Sequence, residues 1–263
     1  MTRLLITLLL LLPWQAGAED SRSEDLRPLP DWRVLVFEEK AFWATARSEL
    51  LLDACAGPGD AWCLEATSSV ASNRERIELS ARPDGHLLER RRFSEGSNRR
   101  RKRWAYGLTG ITRERLEPDA SGEYRLTSRR KIGYPDGERQ VTDPLLLLAL
   151  LSPASAPQSF VVNTDLNLYR VTATPAGEDL VEVSPGLGGI DSRHRDTDLL
   201  RIEAELIDPA QDQPDFTLLG LSGELLVAFD RATGLPLQVR GRAPRLGYVA
   251  LTLKSAELRE AAP

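Results

Sequence analysis

Leu199-Leu200-Arg201-Ile202-Glu203-Ala204-Glu205-Leu206-Ile207 alternates in character: Leu200, Ile202, Ala204 and Leu206 fall on one side of an extended chain, and Arg201, Glu203 and Glu205 on the other. Successive side chains of a strand point to opposite faces, so the pattern predicts a half-buried antiparallel strand. Residues 248–258 repeat it, setting Val249, Leu251 and Leu253 against Thr252 and Lys254. Less regular runs of the same period occur at 42–52, 76–81, 87–93, 103–116, 124–132, 160–173, 180–183, 224–229 and 235–241.

Turn signals of one kind separate these runs: Arg82-Pro83-Asp84-Gly85, Glu117-Pro118-Asp119-Ala120-Ser121-Gly122, Tyr134-Pro135-Asp136-Gly137, Pro175-Ala176-Gly177-Glu178 and Asp230-Arg231-Ala232-Thr233-Gly234. Pro presets φ at the second turn position, Asp bonds back to its own backbone, and Gly takes a positive φ. Hairpins in succession predict an all-β chain: a curled antiparallel sheet, an open β-barrel or a sandwich. One segment breaks the period. In Asp143-Pro144-Leu145-Leu146-Leu147-Leu148-Ala149-Leu150-Leu151 an Asp is placed to cap, Pro occupies the first turn, helix formers follow, and Ser152-Pro153 stops them. This predicts a short helix over 143–151, apolar all round and therefore buried inside the curve of the sheet. A buried strand is the competing reading, but β-branched residues are absent.

The chain opens with Arg3, an apolar run from Leu4 to Leu12, Pro13 and the small residues Ala16-Gly17-Ala18. This is the pattern of a cleavable signal peptide over 1–18. The run is shorter than the ~20 residues that span a bilayer, so no stable membrane span is expected after cleavage, and the expected compartment is the periplasm. Residues 19–36, with Pro28 and Pro30, read as a Pro-rich lead-in, and 37–259 as a single all-β domain. Of the 263 residues 41% are apolar and 28% charged, an ordinary globular composition.

The net charge of −5 conceals an uneven distribution. Residues 19–81 hold 7 basic and 13 acidic residues, 82–140 hold 16 and 9, and 141–263 hold 10 and 17. A basic middle between acidic flanks either pairs internally or faces an anionic partner. Cys55 and Cys63 are the two cysteines. They flank a Gly-Pro-Gly turn, and in an oxidising compartment they are expected to form a structural disulfide. A redox role needs Cys-x-x-Cys spacing, and with His86 and His194 they lack the ligand spacing of zinc sites, so no metal or cofactor is expected.

The succession Ser68-Ser69-Val70-Ala71-Ser72-Asn73, Asp84-Gly85-His86-Leu87-Leu88, Arg92-Phe93-Ser94, the Asp143-Pro144-Leu145 helix start, and Gly234-Leu235-Pro236-Leu237 leading through Gly247 to Leu251-Thr252-Leu253 resembles an exported bacterial family catalogued as domain of unknown function 3108. The likeness runs from about residue 43 to residue 258 and lies in the order and spacing of short motifs. It implies a periplasmic, curled antiparallel sheet with little helix, and supplies no activity and no catalytic residues. The disulfide loop and the arginine block lie outside what it implies.

Catalytic signatures do not form. Gly220-Leu221-Ser222-Gly223 is one residue short of a nucleophile elbow and reads as a turn. His86 follows a Pro-Asp-Gly turn and His194 sits in a charged stretch; both read as solvated. Gly186-Leu187-Gly188-Gly189 lacks the Lys-Ser/Thr of a phosphate loop. The distinctive block is Arg99-Arg100-Arg101-Lys102-Arg103-Trp104-Ala105-Tyr106, with Arg90-Arg91-Arg92 before it and Arg129-Arg130-Lys131 after it. Basic residues interleaved with aromatics suit nucleic acid in the cytoplasm. Export argues against that partner and leaves lipid head groups, lipopolysaccharide phosphates and wall polymers. Arginine's planar fork suits phosphate and stacks on aromatic rings. The candidate ligand residues are therefore Arg92, Arg101, Arg103, Trp104 and Tyr106. In the competing reading these arginines flank an exposed turn at 94–98 and acidic strands neutralise them. The functional expectation is a noncatalytic periplasmic protein that binds an apolar or amphiphilic envelope component such as a lipid. A protein-interaction factor in envelope assembly and a hydrolase acting on envelope material are the alternatives.

Overall fold

The computed structural model describes residues 28–41, 44–56, 60–70, 73–96, 99–153, 156–184, 186–187, 193–208, 216–244 and 246–259. The expected signal peptide and residues 19–27 of the lead-in lie outside the described residues, as do Gly188 and Gly189.

The chain is nearly all β. Its strands are β1 (Trp32–Ala41), β2 (Ala44–Ala54), β3 (Trp62–Val70), β4 (Asn73–Ala81), β5 (Leu87–Glu95), β6 (Arg100–Tyr106), β7 (Gly110–Pro118), β8 (Tyr124–Gly133), β9 (Val141–Thr142), β10 (Gln158–Asn163), β11 (Leu168–Glu182), β12 (His194–Asp208), β13 (Ser222–Asp230), β14 (Pro236–Ala243) and β15 (Gly247–Leu258). They form one sheet in the order β8-β7-β6-β5-β4-β3-β2-β1-β15-β14-β13-β12-β11-β10-β9. Every pair is antiparallel except β9 with β10. The ladder does not close on itself: β8 and β9 end it and are not paired with each other.

Curvature follows from where the core sits. One apolar cluster joins Leu50, Leu64, Leu79 and Leu87 of β2 to β5 with Tyr169, Ile202, Val227 and Phe229 of β11 to β13. These strands are far apart along the ladder, and only a sheet curled around a common interior brings them together. Leu145 to Leu151 fills that interior, with Leu146 and Leu147 fully buried. Burying a Leu contributes roughly 1.5–3 kcal/mol, so this short segment anchors both halves of the sheet. Its α-helical part, α1 (Leu147–Leu150), is shorter than the expected 143–151. Leu146, Leu147 and Leu148 donate three residues back, in tight turns, and Leu150 and Leu151 donate four back. Asp143 Oδ1 accepts from the Leu145 N–H at 2.8 Å, satisfying one donor at the segment's start.

The expected alternation in β12 is present at its centre: Leu200 and Ile202 are buried, whereas Arg201, Glu203 and Glu205 are exposed. Ala204 is exposed as well, because the strand has by then passed the edge of the core. The Asp119 turn has the expected chemistry, its Oδ1 accepting from the N–H groups of Ser121 and Glu123. Gly85, at φ +86°, closes the turn before β5, and a Cβ there would lie 2.5 Å from Leu150 Cδ1, so this turn also seats the leucine segment. Cys55 and Cys63 are bonded with Cα atoms 5.0 Å apart, tying the end of β2 to the start of β3. A loop of this length contributes ~2–3 kcal/mol; Gly57, Pro58 and Gly59 at its centre lie outside the described residues.

Four expectations need correction. Residues 32–36 are not lead-in: β1 begins at Trp32 and lies mid-sheet between β2 and β15. Leu35, Val36 and Phe37 are all buried because register shifts in the β1–β15 pairing break simple alternation. The runs 103–116 and 160–173 are each two strands, turned at Gly107–Gly110 and Thr164–Asn167. Pro175 to Glu178 is a bulge inside β11, with Gly177 at φ +101°, so β11 continues through it opposite β12. His86 is buried, its Nδ1 accepting the Val141 N–H at 3.2 Å.

Candidate functional site

Strand alternation divides the arginine block. In β6 Lys102 and Trp104 are buried, whereas Arg101 and Arg103 are exposed. The register carries this division across the sheet: Arg90 is opposite Trp104, Arg92 opposite Lys102, and Arg113 opposite Trp104 on its other side. These residues, with Tyr106, share the concave face. Arg101 is opposite Phe93 and Arg103 opposite Arg91, on the convex face. Of the five sequence candidates, Arg92, Trp104 and Tyr106 are brought together, and Arg101 and Arg103 are on the other side of the sheet.

Trp104 is 0% exposed and belongs to the core, so it offers no surface to a ligand. It stacks under the Arg90 guanidinium, 4.8 Å from ring centroid to Cζ, and donates Nε1–H to the Asp165 carbonyl at 2.8 Å. That carbonyl lies in the Thr164–Asn167 turn between β10 and β11, which comes from the other half of the sheet. The turn is clasped from several sides. Arg90 donates to the Thr164 carbonyl; Lys102 pairs with Asp165; Arg113 donates to both Asp165 carboxylate oxygens, at 3.1 and 3.4 Å; and the Tyr106 hydroxyl donates to Asn163 Oδ1 at 3.0 Å. Trp104 and Ile111 also pack with Val141, Val161 and Leu168 in a second apolar cluster. A side-chain seam thus joins the two halves where the ladder leaves them unpaired.

The charges in the seam are unequal, two cations facing one carboxylate. Burial pushes Asp165 up, but Lys102 and Arg113 outweigh it and hold the carboxyl below its ordinary range. Burial, with repulsion from Arg113 and Arg92, lowers Lys102 to about 8 despite Asp165. Beside them, burial raises Asp143, opposed by Arg90, whose Nε is 3.1 Å from Asp143 Oδ2. Burial likewise raises the Tyr106 phenol.

The depressed Lys102 has a testable sign. Between pH 8 and about 10.4 the unfolded chain holds this proton and the folded chain has released it, so stability contributed through Lys102 increases with pH. Urea midpoints of the wild type relative to Lys102→Met should therefore rise from pH 8 to pH 10. A difference that is flat over this range, with the Lys102 amine titrating at its ordinary value by NMR, would refute the assignment.

Next to the seam lies a cleft of about 880 Å³ on the concave side. Leu50, Ala66 and Ile77 of β2 to β4 line it, together with Tyr169, Leu221 and Leu251. Arg90, Arg92, Glu75, Asp143 and Asp165 gather in one charged group with Thr164 and Asn167, and Glu39, Arg47 and Glu49 of β1 and β2 also belong to the lining. Arg92 is ion-paired with Glu75. Arg90, Lys102, Arg113, Asp143 and Asp165 do not appear among the sequence candidates; Thr164-Asp165-Leu166-Asn167 has turn composition, but sits inside a run that otherwise reads as one strand.

Among the described residues no cluster of three His, Cys, Asp or Glu side chains is placed to hold a metal ion. Likewise, none of their helices is long and apolar enough to cross a membrane. His194 is exposed at the first position of β12, and Gly220 lies in a tight turn closed by Leu218 and Leu221. Comparison with family models, with curated proteins and with solved structures finds no match.

Proposed function

We propose that this chain is an exported, noncatalytic binding protein of the bacterial envelope that takes up an amphiphile on the concave side of its sheet. The observation that carries the reading is the 880 Å³ cleft lined by apolar side chains and by a charged group. Small-molecule sites occupy ~300–1,000 Å³, are mostly apolar, and place a few polar groups to fix orientation. An acyl or similar apolar body would lie against Leu50, Ala66, Ile77 and Leu251, with its polar head toward Arg92. Burial of that body supplies affinity, and the head-end charges set the direction of entry. The signal-like first 18 residues and the resemblance to an exported bacterial family support the periplasm as the compartment.

The test is chemical. Protein expressed with its own N-terminal segment and purified from the periplasm should release a stoichiometric amphiphile on solvent extraction, with the matching mass shift in native mass spectrometry. It should also bind the apolar fluorophore N-phenyl-1-naphthylamine. Ala66→Trp, which fills the cleft, should weaken that binding at least tenfold. An extract free of amphiphile, together with fluorophore binding unchanged by Ala66→Trp, would exclude the cleft as the binding site.

A further inference from the structure

On the convex face, at the end of the β4-β5-β6 ribbon, Phe93 and Tyr124 form the floor of a separate hollow of about 440 Å³. Arg76, Arg99 and Arg101 stand around it, with Glu95 as its carboxylate. Arg101 is held by rings on two sides, its Cζ 3.9 Å from the Tyr124 centroid and 5.9 Å from that of Phe93. Arg76 covers Phe93 at 4.7 Å and is paired with Glu78 at 3.0 Å.

The neighbouring arginines differ in one respect. Arg103, two residues along the same strand and on the same face, donates to Glu89 at 2.8 Å. Arg91 donates to Glu89, and Arg129 to Glu114. Among the described residues, neither Arg99 nor Arg101 is paired with a carboxylate. An arginine fixed by stacking keeps its planar fork of donors free and pre-ordered, so less rotamer entropy is lost when it grips an oxyanion. Arg99 and Arg101 together outweigh Glu95, and the rings of Phe93 and Tyr124 hold the Arg101 guanidinium in place.

We propose that this hollow is a binding site for a phosphate monoester, with Arg101 as the bidentate ligand to the phosphate and Tyr124 and Phe93 as the platform that orients it. The site is independent of the concave cleft and lies on the opposite side of the sheet. A phosphorylated sugar and the monoester head group of phosphatidic acid share this chemistry, and two probes separate them: glucose 6-phosphate in solution, and phosphatidylcholine vesicles containing phosphatidic acid.

The Arg101 Nε–Hε signal should shift in NMR titrations with glucose 6-phosphate, or the protein should cosediment with the phosphatidic acid vesicles. Binding of the sugar phosphate alone assigns a soluble ester, and binding of vesicles alone assigns a lipid head group; either supports the site. Arg101→Gln should weaken binding at least tenfold, and Arg101→Lys, which keeps the charge but loses the planar fork, should weaken it nearly as much. Arg103→Gln removes the same charge from the same strand and should change binding less than twofold. Equal losses in Arg101→Gln and Arg103→Gln would reduce the effect to net charge and overturn the proposal, as would a wild type that binds neither probe.

Discussion

Asp165→Asn is expected to lower the stability of this protein by about 3–5 kcal/mol, the range found when one partner of a buried ion pair is removed. Asn keeps the size of the side chain but withdraws the carboxylate facing Lys102 and Arg113, which are only 6% and 5% exposed. Arg113 is then left desolvated in the wall of the core, close to Arg90, and Lys102, already lowered to about 8, loses the carboxylate that holds its proton. The same change loosens the turn within the charged group of the cleft. Urea denaturation measures the loss, and the cause can be separated from the contact itself. The triple change Lys102→Met, Arg113→Met, Asp165→Leu removes all three charges and should cost clearly less than Asp165→Asn alone, because no charge remains buried without a partner. An Asp165→Asn protein within 1 kcal/mol of wild type would show that the seam does not bind the halves together.

Leu147→Ala should cost about 2–5 kcal/mol, the sum of lost transfer energy and the cavity left behind. Leu147 is fully buried in the cluster that both halves of the sheet share. Its surroundings are a curved sheet on several sides, so the void has little means of collapsing. Leu108→Ala is the internal comparison: Leu108 is 92% exposed in the β6–β7 turn, and its removal should change stability by less than about 0.5 kcal/mol. Equal effects at the two positions would mean that the leucine segment is not what the sheet folds around.

The contrast between these leucines also explains what was legible in the sequence. Strand β12 can be read because one face meets the core and the other meets water, so composition follows geometry. Strand β3 has no such contrast after Ala66: Thr67 and Ser68 are both exposed, and the strand does not stand out from its flanks. Strand β1 is hidden for the opposite reason, with three consecutive buried residues. Leu108 masks a turn because an exposed leucine inside a periodic run looks like one more inward position. The all-β class and the buried leucine segment were thus readable from local pattern.

The candidate site was readable only in part. Alternation alone separates Arg101 and Arg103 from Lys102 and Trp104, once the strand is known to begin near Arg100. Which face is concave depends on the curl, and that is a property of the whole sheet. The partners of the inward cations are further removed still: Asp165 is 63 residues from Lys102 and 52 from Arg113. No spacing rule links such positions, and a lone Asp in a polar turn carries no mark of the three donors it will meet. Trp104 illustrates the cost of reading composition without register. Beside arginines it looks like a stacking surface for a ligand, whereas its ring is spent on Arg90 and the core.

Because the two ends of the sheet are held by side chains instead of a strand ladder, parting them breaks no ladder hydrogen bond. In hydrogen-exchange terms, the amides of β6 and β10 keep their protected partners while the gap between those strands widens. If the concave cleft takes up a guest as proposed, its admission would thereby be separated from cooperative unfolding: the free energy of opening would be that of a local fluctuation, set by a few charges and rings and adjustable by single substitutions without rebuilding the scaffold.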